Sequence, residues 1–176
     1  MDRSRYHVWC SSSLLQLLAE LQESYKLRRT LLCGGSMGGT AALIFAHLHP
    51  HLVDGVAAMN GTANMVEYNN FQEAISASYG GTKAYVADEY QRRSVELRPG
   101  RLTMPLGLTL SDDDIVVPPH SMLRVAKYLA ERQHPLLLIR RTAAGHATSY
   151  DDARAILTFV EGESKGTENN QQGKRI

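Results

Sequence analysis

Ser36 sits at the apex of Gly34-Gly35-Ser36-Met37-Gly38-Gly39. The apolar run Leu31-Leu32-Cys33 precedes it, and the alanine-rich stretch Ala41-Ala42-Leu43-Ile44-Phe45-Ala46-His47 follows. The order reads strand, sharp turn, helix, with glycines where the backbone must crowd. Gly34-x-Ser36-x-Gly38 fits a nucleophile elbow, which lifts a serine hydroxyl clear of a sheet. A serine hydroxyl must lose its proton as it attacks, so it needs a base. His146, after Gly145, titrates near neutrality and can take that proton and return it to a leaving group. A carboxylate must fix the imidazole tautomer, and Asp114 stands between the two in the chain. The backbone N–H of Met37, at the start of the following helix, can face a developing oxyanion.

These side chains need elements that bring them to one place. Leu14, Leu17, Leu18 and Leu21 share a helical face, which predicts a helix over Ser13 to Tyr25 with those leucines in the core. A first strand covers Thr30 to Cys33, and the helix after the elbow reaches His47 before Pro50 stops it. Val53 to Met59 is a second strand, Pro105 to Leu110 a third and Pro135 to Arg140 a fourth. Pro118-Pro119 opens a helix to Arg132, and a last helix runs from Asp151 to Val160. Residues 63–104 read as an irregular or partly helical connection that could lie over a site, with a short helix around Val86 to Arg93. Strands alternating with helices predict an α/β fold with a mostly parallel sheet of about four strands. In such sheets ligands bind beyond the carboxyl ends of the strands. Ser36, Asp114 and His146 follow the first, third and fourth strands.

The totals exclude several classes. The chain has 176 residues, a net charge of +1 and scattered basic residues, so neither nucleic acid nor an anionic membrane is the expected partner. No apolar run is long enough to span a bilayer, and no signal-peptide core follows Met1, so a cytoplasmic location is expected. Cys10 and Cys33 offer no disulfide framework or metal spacing, and Cys33 is expected to be buried. His47, His49 and His51 alternate around Pro50 and read as solvated cations near a helix C-terminus rather than metal ligands. Arg92-Arg93 reads as a solvated face. Within Asp112-Asp113-Asp114, a solvated acidic turn and Asp113 as the orienting carboxylate are alternatives to Asp114. Asn60-Gly61-Thr62 matches a glycosylation acceptor by chance, and Asn60 is a pocket-lining candidate at a strand end. The tail from Glu161 to Ile176 is polar and expected to be disordered.

Three stretches carry a resemblance: Gly34-Gly35-Ser36-Met37-Gly38-Gly39, Asp114-Ile115-Val116-Val117-Pro118-Pro119 and Gly145-His146. Tyr79-Gly80-Gly81-Thr82, then Tyr90 and Arg93-Ser94, match more weakly. On these residues the chain resembles the catalytic C-terminal half of an α/β-hydrolase of the prolyl-oligopeptidase-like group, over about Ser11 to Val160. The resemblance implies a single truncated domain over 1–160. It also implies Ser-His-Asp acyl transfer by Ser36, His146 and Asp114 on a small ester or peptide substrate, without a cofactor or metal. It implies further strands before the elbow as well, with a second oxyanion donor on a loop among them. Upstream of Ser36 this sequence offers one helix and no His-Gly-Gly stretch. A catalytically impaired fragment or a non-catalytic interaction module is therefore the alternative expectation.

Overall fold

The computed structural model describes residues 9–25 and 27–172. The expectations for the polar lead and the Cys10 side chain fall largely outside them. The elements are α1 (Trp9–Ser24), β1 (Leu31–Gly35), α2 (Met37–Leu48), β2 (Gly55–Met59), α3 (Gln72–Tyr79), α4 (Ala87–Arg92), β3 (Leu106–Ser111), α5 (His120–Ala130), β4 (Leu136–Arg141) and α6 (Tyr150–Gln172). The four strands form one sheet in the order β1-β2-β3-β4, and every pairing is parallel. This is the α/β sheet that the alternation of apolar runs and helices predicts.

Side chains alternate across the strands, as a two-residue period requires. Val56, Ala58, Leu106, Leu108 and Leu110 point to one face, where they pack with Leu43, Phe45 and Ala46 of α2 and Met122, Val125 and Leu129 of α5. Ala57 points to the other face, against Ile156 and Val160 of α6. Small strand residues let α6 lie close: a Cβ on Gly107 would stand 2.6 Å from Ile156 Cβ. No described helix is long and apolar enough to cross a membrane.

The structure departs from the sequence reading at several points. The connection over 63–104 holds a helix that periodicity missed, α3, whose apolar residues are confined to Ile75 and Tyr79 apart from alanines. Tyr79 packs edge-on against Tyr90, ring centroids 4.8 Å apart, and that tertiary contact supplies what amphipathic pattern does not. The last helix continues to Gln172 instead of ending at Val160. Arg29 Nη1 donates to Glu161 O at 3.1 Å and Ser164 Oγ at 2.9 Å, which ties the first turn of that extension to the chain ahead of β1. Leu17 of α1 is 48% exposed rather than in the core, while Leu18 is buried. Cys33 is exposed, on a strand that lies at the edge of the sheet among the described residues.

Two charge expectations are also corrected. His47 is buried, and burial, reinforced by the charges of Arg101 and Arg98, holds its pKa down to about 4, so it is neutral rather than a solvated cation. His49 is half-buried against Phe45, ring centroids 4.9 Å apart, and burial lowers its pKa too. Arg93 is no solvated residue either. Its guanidinium lies 4.1 Å from the Tyr79 ring centroid and 2.9 Å from Glu89.

Candidate active site

The polypeptide turns sharply at Ser36, whose φ of 54° and ψ of −119° lie where non-glycine residues are strained. Close approach of the chain around it explains the glycines. A Cβ on Gly34 would stand 2.4 Å from Gly38 C, and one on Gly39 would stand 2.9 Å from both Gly34 O and Met59 O. The Ser36 N–H donates to Met59 O at 2.7 Å, which anchors the turn to the end of β2. Met37 begins α2, so its N–H has no acceptor within the helix, and its side chain is exposed.

The three aspartates after β3 have three separate partners. Asp112 accepts from Arg140 Nε at 2.7 Å. Asp113 accepts from Ser111 Oγ at 2.5 Å and from the Gly145 N–H at 2.8 Å. The Ser111 bond and then the Gly145 bond hold its pKa below the usual carboxylate range. Asp114 Oδ1 accepts the N–H groups of Val116 and Val117, both at 2.9 Å, and its Oδ2 lies 2.7 Å from His146 Nδ1. The other imidazole nitrogen, Nε2, lies 2.8 Å from Ser36 Oγ. The structure thus brings Ser36, His146 and Asp114 into one hydrogen-bonded line, and Asp113 is not the residue on the imidazole.

That line has a direction. The Asp114 side chain is 1% exposed and takes two backbone N–H donors on Oδ1, and as a carboxylate it offers His146 only an acceptor. The Nδ1 atom then carries the proton, and Nε2 is left to accept from the Ser36 hydroxyl. The His146 side chain is 24% exposed, enough to meet a reactant arriving from solvent. Chemically, the arrangement can withdraw a proton from Ser36 as its oxygen attacks an electrophile.

Residues that the sequence reading left aside hold the line in place. Ala144 N–H donates to Ser111 Oγ at 2.9 Å, one residue before the Gly145–Asp113 bond. Beyond His146, Thr148 Oγ1 lies 2.8 Å from Thr109 Oγ1, and both donate toward Asn60 Oδ1, at 3.0 and 3.1 Å. Asn60 is thus a buried anchor rather than a pocket lining, and its burial leaves no access for a glycan. The turn after Asp114 is strapped from outside. Tyr68 Oη donates to Val116 O at 3.0 Å, and Asn70 Nδ2 donates to Val116 O at 2.8 Å and Ile115 O at 3.2 Å. Burial and then the Asp114 charge raise the Tyr68 pKa, which keeps its phenol a donor. Lys83 Nζ gathers Val66 O, Tyr68 O and Asn69 Oδ1 and so fixes the strap. Only Asp113 and Asn60 left a trace in the sequence, by their neighbours and strand-end position. The others depend on which strands adjoin. Among the described residues, no cluster of three or more His, Cys, Asp or Glu side chains is placed to hold a metal.

A parallel sheet with a serine at a strand–helix turn and a His–Asp pair beyond neighbouring strands defines the α/β-hydrolase class of architecture. The sequence model of the prolyl oligopeptidase family matches residues 10–164, and the chain belongs to that family. Solved structures share the fold. A puromycin hydrolase superposes with a TM-score of 0.73 at 18% identity, over 93% of this chain and 26% of its own. An acylaminoacyl peptidase from Pyrococcus horikoshii gives 0.70 at 16%, over 90% and 28%. Dipeptidyl peptidase 4 from Porphyromonas gingivalis gives 0.69 at 14%, over 93% and 23%. The chain therefore spans about a quarter of the length of these relatives. No curated protein sequence matches it.

Proposed function

We propose that the chain carries the acyl-transfer site of a serine hydrolase that cleaves amide or ester bonds. The observation that supports this best is the line from Asp114 through His146 to Ser36, with contacts of 2.7 and 2.8 Å. In this reading Ser36 Oγ bonds to the substrate carbonyl carbon while its proton passes to His146 Nε2. The Met37 N–H stabilises the resulting oxyanion. The carbonyl–nitrogen or carbonyl–oxygen bond then breaks, and Nε2 returns the proton to the departing amine or alcohol. Water attacks the acyl-serine, giving its proton to Nε2, and the acid leaves as Ser36 recovers its own. Asp114 holds the imidazole and stabilises its charged form. The hydrolase and peptidases that share the fold favour amide-linked acyl groups, with a peptide as substrate.

A fluorophosphonate probe tests the assignment, because it phosphonylates only an activated serine. The chain is expected to label at Ser36, and Ser36→Ala to abolish labelling, with hydrolysis falling about 10⁴-fold or more. Equal labelling of both proteins would overturn the assignment.

A second reading is favoured by one observation: β1, which carries Ser36, pairs only with β2 among the described residues. A strand laid along the free edge of β1 would bring the second oxyanion donor, whose loss costs about 10²–10³ in turnover. On this reading Ser36 labels while the 176-residue chain turns substrate over slowly.

A further inference from the structure

We infer that Asn60 is a positioning residue that fastens the nucleophile and its base to a single corner of the sheet, a proposal that rests on the serine hydrolase reading above. Two consecutive residues at the end of β2 do the fastening. Met59 O accepts the N–H of Ser36 at 2.7 Å. Asn60 Oδ1 accepts the Thr148 hydroxyl at 3.0 Å, two residues beyond His146. The same oxygen accepts Thr109 Oγ1 at 3.1 Å, and the Asn60 N–H donates to Thr109 O at 2.9 Å, which locks the corner to β3. A displacement of the β2 corner therefore carries Ser36 and His146 together instead of opening the gap between Nε2 and Oγ.

Position 60 meets two separate demands. Its backbone has φ 47°, in the left-handed region, where asparagine is among the few side chains tolerated. Its carboxamide oxygen, in a residue only 5% exposed, has two lone pairs and takes two hydroxyl donors. Glycine would satisfy the first demand and fail the second, which gives a clean probe. On the other side of His146, Asp113 and Ser111 hold Gly145 and Ala144. The base is thus pinned on both flanks, and the Asn60 pin is the one it shares with the nucleophile.

The test compares Asn60→Gly, Thr148→Val and Thr148→Ser with the wild-type chain. Fluorophosphonate labelling is followed over probe concentration to separate the maximal rate from the half-saturating concentration, with a thermal melt of each protein. Asn60→Gly and Thr148→Val are expected to lower the maximal rate about 10- to 100-fold at unchanged half-saturation, because small misplacements of reacting groups are costly. Thr148→Ser keeps the hydroxyl and is expected to stay within about threefold of wild type. A wild-type chain that shows no Ser36-dependent labelling refutes the hydrolase reading itself. A wild-type chain that labels, with both variants labelling as fast at temperatures well below their melts, refutes the positioning role alone. Thr148 is on a half-exposed loop, so its variants carry the test should Asn60→Gly fail to fold.

Discussion

The two faces of the sheet are built to different thickness. On the α2 and α5 face, Leu43, Val56, Leu106, Leu108 and Met122 are fully buried in a continuous core. On the α6 face the buried hydrophobic set shrinks to Ala57, Ile156 and Val160. Beside α6, over β1, a groove of about 330 Å³ is lined by Leu31, Tyr150 and Leu157, and Cys33 is exposed on the same strand. Yet His146 is delivered by the loop that leads into the thin face. Where apolar packing is scarce, hydrogen bonds fix the geometry: Ser111, Asp113, Thr109 and Asn60 all grip that loop. The thick face holds the fold, and the thin face holds the loop that carries His146.

The largest effect should come from the thick face. Leu108→Ala is expected to cost about 2–5 kcal/mol, as truncations in close-packed cores do, while Leu31→Ala costs about 1 kcal/mol or less. Urea melts of the two variants check this, and equal losses would break the contrast.

Acid should separate the faces next. The pKa of His47 is lowered by folding, so its neutral form favours the native state, and the unfolded chain binds the proton more readily. That stability is complete above the unfolded value of about 6.5 and is lost as pH falls toward about 4. About 3 kcal/mol is at stake, and a His47→Gln variant should show a flatter stability–pH profile over that window. On the thin face Asp152 is held below the usual carboxylate range, chiefly by its bond with Arg141. Its contribution is complete above about pH 5 and is lost as pH falls through the unfolded carboxylate value of about 3.9 and below. An Asp152→Asn variant should therefore match wild type in slope between pH 6.5 and about 5. A changed slope there would show that the two faces titrate together.

The smallest effect concerns the edge itself. In a Cys10→Ser background, Cys33 should react with a thiol reagent in the native chain. Reaction only after unfolding would mean that the outer face of β1 is covered in solution.

The sequence carried the elbow plainly, because glycine spacing around a serine encodes a backbone requirement that Gly34 and Gly39 then meet sterically. It carried the sheet too, since buried parallel strands are written as uninterrupted apolar runs such as Leu106-Gly107-Leu108. The three aspartates were less legible. Two of their partners, Arg140 and His146, are set by the β3–β4 register and the loop beyond, which no local pattern encodes. His47 was misread because a helix-end histidine looks the same whether solvent or Arg101 lies beyond it. Asn60 was seen as a strand end, but its two threonine partners lie 49 and 88 residues away.

Because each strand pairs with the next one along the chain, the sheet can be laid down in the order of synthesis, every new strand adding to an edge that already exists. The serine and the aspartate are present on the third strand's completion, but the histidine is not. A nascent chain emerging from the ribosome at its usual pace therefore displays the elbow well before it holds His146. The contact between Ser36 and His146 forms only once β4 has docked and the loop beyond it has closed over the strand ends.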